Sequence, residues 1–163
     1  MDFGRRWLTP RPFGGDVLSM ALHIIKLCVG ADSVEDLQSW IDDRMADRRA
    51  SGRPIEQIHT TRMFPRRTDE VLDGGSLYWV IKGVVQVRQR IADLRPVKGA
   101  DGIDRCDIVL DPVLVRTAPQ PRRPFQGWRY LQEKDAPRDL RTAEGAEGIP
   151  AEMRQELLEL GLI

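Results

Sequence analysis

The chain has 163 residues, 41% of them hydrophobic and 31% charged, which fits one globular domain with a real core and leaves little room for a second. Its 25 lysines and arginines balance its 25 acids, so no global charge draws it to nucleic acid and any such role has to come from a local patch. Cys28 and Cys106 lie far apart with no CxxC or Cys/His spacing, and no run approaches the roughly 20 apolar residues of a membrane span, so a disulfide framework, a structural zinc and a membrane anchor are all unsupported. The N-terminus lacks the continuous apolar core of a signal peptide, and a cytoplasmic protein is expected.

Residues 1–19 are rich in Gly, Pro and Arg without helical or strand periodicity. They are expected to be a disordered or non-native extension, the alternative being an arm that packs Trp7 and Phe13 onto the domain. Met20 opens the ordered chain, and residues 20–163 are read as a single domain. "ALHIIKLCVG" at 21–30 has the β-branched, apolar content of a buried strand, with His23, Ile25, Leu27 and Val29 sharing one face. Ser33 stands three residues before Asp36 as a near capping box, and apolar residues at 34, 37, 41 and 45 predict a helix that fades before Gly52.

A short extended segment is predicted at 55–62, followed by a brief helical turn that Gly74 and Gly75 close. "SLYWVIKGVVQVRQRIADL" at 76–94 is the most strand-like stretch, and Gly83 in its middle predicts a bulge or sharp bend joining two strands. At 103–112 the sequence alternates, with Cys106, Ile108 and Leu110 on one face and Arg105, Asp107 and Val109 on the other. Short strands are expected at 113–116 and 128–131. Pro150, Glu152 and Gly161 bracket a C-terminal helix that turns Met153, Leu157 and Leu160 toward the body. Strands in the middle, helices around them and no regular βαβ alternation predict an α+β fold with a small, curled, mostly antiparallel sheet, a small barrel being the favoured form.

The two histidines, His23 and His59, have no HxH, HExxH or acid-spaced partner, so no metal and no cofactor is expected. His23 sits in an apolar strand and is expected to pack. His59, in "HTTRMFPRR", is surrounded by hydroxyls and guanidinium groups, as an anion-binding or acid/base site would be. A small hydrolase for esters or acylated nucleosides would use His59 or Lys82 as base and Ser76, Thr60 or Thr61 as nucleophile or orienting group. However, "DGGSLYW" is not GxSxG, and a serine at a strand start ordinarily serves the backbone.

The stronger pattern is one of binding. Residues 112–131 carry Arg116, Arg122, Arg123 and Arg129 and no acid, and a second basic group lies at Arg62, Arg66 and Arg67. Guanidinium forks suit phosphate, and aromatic rings suit unpaired bases. The expected site is a cleft between residues 59–67 and 122–130. In it Arg62, Arg66, Arg67, Arg122 and Arg123 hold phosphate, Phe125 and Trp128 stack a base, and Thr60 or Thr61 orients it. In an extended "GWRYL", Trp128 and Tyr130 share a face, so at least one of the two rings is also a candidate for the core. RNA or a nucleotide is the partner this implies, and a protein-interaction module built on the C-terminal helix is a further alternative.

The runs "MALHIIKLCVGADSVEDL", "HTTRMFPRRTDEVLDGGSLYWVIKGVVQVRQRI", "DGIDRCDIVLDP" and "PRRPFQGWRYL" resemble the alphaproteobacterial family known as domain of unknown function 1489, over about residues 20–163. A looser similarity is to PUA-like domains, the group with the ASCH and EVE families. "DEVLDGG" resembles the short helix and Gly turn before a barrel strand in ASCH-type domains. This second resemblance implies a curled pseudobarrel and RNA or modified-base recognition. The chain departs from the ASCH pattern by placing Gly75 and Ser76 after the turn, and its lysine only at Lys82, so the resemblance implies binding more than the amidohydrolase chemistry of some ASCH relatives.

Overall fold

Residues 21–140 are those that the computed structural model describes. The expected extension at 1–19 and the helix after Pro150 lie outside the described residues. β1 (Leu22–Leu27) enters the interior, and α1 (Val34–Ala50) follows it. Ser33 starts α1 by holding an extended backbone while its Oγ accepts the Asp36 N–H at 3.0 Å, which satisfies one otherwise unpaired donor of the first turn. Val34, Leu37, Ile41 and Met45 are buried, so the apolar stripe of the sequence is the face on the sheet. Ser33→Ala should cost about 1 kcal/mol of stability, read as a lower urea midpoint at unchanged slope.

The remaining elements are β2 (Gln57–Thr61), α2 (Thr68–Leu72), β3 (Ser76–Ile81), β4 (Val84–Lys98), β5 (Asp104–Leu110), β6 (Val115–Pro121), β7 (Trp128–Gln132) and a 3-10 turn (Glu133–Asp135). The seven strands form one mixed sheet in the order β2-β5-β4-β3-β1-β7, with β6 also on β4. β1 and β3 run parallel, because α1, β2 and α2 supply the long crossover that parallel neighbours need, and the other pairs are antiparallel.

Of the bulge or sharp bend expected at Gly83, the structure has the bend, and it joins two strands. Lys82 (φ 53°) and Gly83 (φ 76°) form a two-residue hairpin turn whose two positive φ values match the twist of the flanking strands. β4 is irregular as well, its register shifting against β3, β5 and β6. Residues 84–90 of β4 pair with β3 and residues 91–98 with β5, so one long strand serves both parts of the sheet.

The α+β class matches the expectation, but the expected small barrel is not closed. β6 and β7 are not paired with each other. The chain after β7 instead crosses to β6, where Ala118 N–H donates to the Arg138 carbonyl at 2.8 Å and Leu140 N–H to that of Arg116 at 2.9 Å.

As the central strand, β3 is buried along its whole length, with a core on each side. On one side Leu77, Trp79 and Ile81 pack with the α1 stripe, Ile24 and Ile108. On the other, Tyr78 and Val80 join Ile25, Val85 and Leu131. The buried Gln89 amide is paired at both ends: its Oε1 accepts Trp79 Nε1–H at 2.8 Å, and its Nε2 donates to Gln57 Oε1 at 2.6 Å and to the Asp111 carbonyl at 2.9 Å. Burial pushes the Cys28 and Cys106 thiols up to about 11, so both are protonated and unreactive at neutral pH. No helix among the described residues is long and apolar enough to cross a membrane.

Candidate functional site

The gap left between β6 and β7 is a groove with two continuous lobes. The first, about 620 Å³, is lined by Arg67, Gln120, Arg122, Gln132, Lys134 and Asp135 around Leu22, Tyr130 and Leu131. The second, about 590 Å³, shares Gln120, Arg122 and Tyr130 and adds Arg123, Arg129, Ile25, Pro121, Pro124 and Phe125. One lobe is therefore mainly polar and the other largely apolar. Five cationic side chains and a single acid, Asp135, line the whole.

Three of these cations are held in place. The Arg122 backbone N–H donates to the Gly83 carbonyl at 2.8 Å, and its Nε and Nη2 donate to Gln120 Oε1 at 3.1 and 2.9 Å. Arg67 donates its backbone N–H to Tyr130 Oη at 3.1 Å, pairs through Nε with Glu70, and sets its guanidinium 5.6 Å from the Tyr130 ring centre. Arg129 lies at the same distance from the Phe125 ring. Each guanidinium thus lies within cation–π range of a ring.

Arg67, Arg122, Arg123 and Phe125 of the expected site thus meet in one groove. Arg62 and Arg66 are exposed on the loop before Arg67 and do not line it. Trp128 is buried, and its indole N–H donates to the Met63 carbonyl at 2.8 Å, which anchors that loop to the core, while the Tyr130 and Phe125 rings line the groove. Thr61 is buried, while Thr60 donates to Asp107 at 2.6 Å and belongs with His59 to a separate cleft. Gln120, Lys134 and Asp135 had no signal in the sequence. They face one another only because the chain crosses from β7 back to β6, where Gln120 Nε2 donates to the Asp135 carbonyl at 3.2 Å.

The catalytic candidates stand in different surroundings. Lys82 is exposed in its hairpin turn, 3.2 Å from Asp32. Ser76 is buried, its Oγ accepts Arg88 Nη1 at 2.9 Å, and its N–H donates to His23 Nδ1 at 2.9 Å. With Nδ1 an acceptor, His23 carries its proton on Nε2 and donates it to Glu133, so its free lone pair is already taken. Arg88 also forks onto Asp139 at 2.7 and 2.6 Å, and these bonds fasten the chain after β7 to the sheet. His59 lies edge-on to Trp79, with ring centres 5.1 Å apart. Burial, reinforced by Lys26 and Arg44, lowers its pKa to about 4, which keeps the imidazole neutral at physiological pH.

No curated protein and no solved structure matches the chain. Residues 24–163, which contain every groove residue but Leu22, match the model of the family described as protein of unknown function DUF1489, and the chain belongs to that family.

Proposed function

We propose that the groove between β6 and β7 binds RNA or a nucleotide-like ligand in the cytoplasm, with phosphate in the polar lobe and a base in the apolar one. The observation that carries this reading is the meeting of Arg67 and Arg122, from two separate basic clusters, in one groove beside Tyr130. Bound phosphate would accept from both guanidinium groups and Lys134. A base would lie against Phe125 and the prolines, at about 1 to 3 kcal/mol for the stack. Because the lobes are continuous and cations extend to Arg123 and Arg129, a single-stranded oligonucleotide has more to grip than a mononucleotide. Kinship with PUA-like domains belongs to the same proposal and draws on the curled sheet with its flanking helices.

Anisotropy with labelled single-stranded RNA across a salt series tests it. Affinity should fall steeply with salt. Arg67→Ala combined with Arg122→Ala should weaken binding at least about tenfold and reduce the salt slope by about two. Absence of salt-sensitive binding at micromolar protein overturns the proposal.

A further inference from the structure

A second cleft, about 410 Å³, opens between the C-terminal half of α1 and β2. The charged groups around it are Lys26 from β1, Arg44, Asp47 and Arg48 from α1, and Arg53 and Glu56 from the connection to β2. Most of its lining cations have work to do within the fold. Arg48 donates to the Pro54 carbonyl at 3.0 Å and Arg53 to Ser51 Oγ at 2.9 Å, while Glu56 is taken up by Arg95 at 2.9 Å. Arg44 is exposed and pairs with no acid among the described residues. Beneath it, His59 Nε2 is buried without a hydrogen-bond partner, the one such side-chain atom among the described residues. A buried polar atom left unpaired costs about 1 to 3 kcal/mol, so a hydrogen-bond acceptor placed beside His59 Nε2 would be favoured there.

We propose that this cleft is a second, separate anion site, which takes a small oxyanion of the phosphate class between the Arg44 fork and His59 Nε2. A neutral imidazole can donate from Nε2, and Arg44 and Lys26 supply the positive field that a phosphate oxygen needs. Nε2 has no open surface, so the anion reaches it as the side chains above it part. Arg44 lines the cleft from the exposed face of α1. Occupation would offset the two cations and make protonation of His59 easier, so binding and proton uptake would be linked.

The chain has two histidines, so the His59 Cε1–H resonance can be resolved in the full-length protein and assigned with His59→Gln. Inorganic phosphate, compared with sodium chloride at equal ionic strength, should shift this resonance saturably and raise its titration midpoint from about 4 toward the ordinary histidine range. In Arg44→Gln, a substitution on the exposed face of α1, the response should be lost while single-stranded RNA binding is unchanged. A His59 resonance that responds no more to phosphate than to chloride, or equally in Arg44→Gln, overturns the site. The groove reading stands or falls separately on the RNA titration.

Discussion

Gly75→Ala should lower stability by about 3 kcal/mol or leave the chain unfolded, whereas Gly74→Ala should cost only about 1 kcal/mol. A Cβ at Gly75 would overlap the carbonyl oxygens of both Leu22 and Val71. Neither oxygen can retreat easily. Gly75 N–H donates to the Val71 carbonyl at 2.9 Å, and the Gly75 carbonyl accepts from Ile91 N–H at 3.0 Å, so the residue joins α2, β1 and β4 at a single point. Gly74 has φ 95° but open space around it, and there the penalty is backbone strain alone. Urea denaturation of the two variants checks the contrast, and equal losses would mean that the close approach at Gly75 carries no special weight.

Stability should fall as pH drops from about 6.5 to 4, by on the order of 3 kcal/mol, through His59 alone. Burial, with Lys26 and Arg44 adding to it, lowers the folded pKa from 6.5 to about 4. Between those values the unfolded chain binds a proton that the folded chain refuses, so stability rises with pH across the window. Above 6.5 both states are neutral at this position and the dependence is flat. Asp101, held at about 2 by Arg105, loses its favourable contribution only below 3.8, outside the His59 window. Urea midpoints measured at several pH values should therefore slope in the wild type and flatten in His59→Gln. An unchanged slope in the variant would assign the acid sensitivity to other groups.

Much of the fold was legible in local pattern. Ser33 and the stripe at 34, 37, 41 and 45 announced α1, and the alternation around Cys106, Ile108 and Leu110 announced β5. Caps and periodicity act within a few residues, so a single segment carries its own signal. Gly83 left a bulge and a sharp bend between two strands both open, because each calls for glycine. Only strand pairing distinguishes them, and it showed Ile81 opposite Val84. Trp128 was similarly open between rim and core until the Met63 carbonyl took its N–H.

By itself, the sequence determined the α+β class, most of the strands, the first helix and the two basic clusters, because composition and spacing are properties of the chain. Only the tertiary structure decided that the sheet stays open between β6 and β7, that Arg67 and Arg122 share the resulting groove, and that His59 lies in a different cleft. The physical reason is that each of these depends on which strands pair and where β4 bends. Those pairings join residues far apart in sequence, such as Leu22 with Gln132, and no local pattern encodes their register.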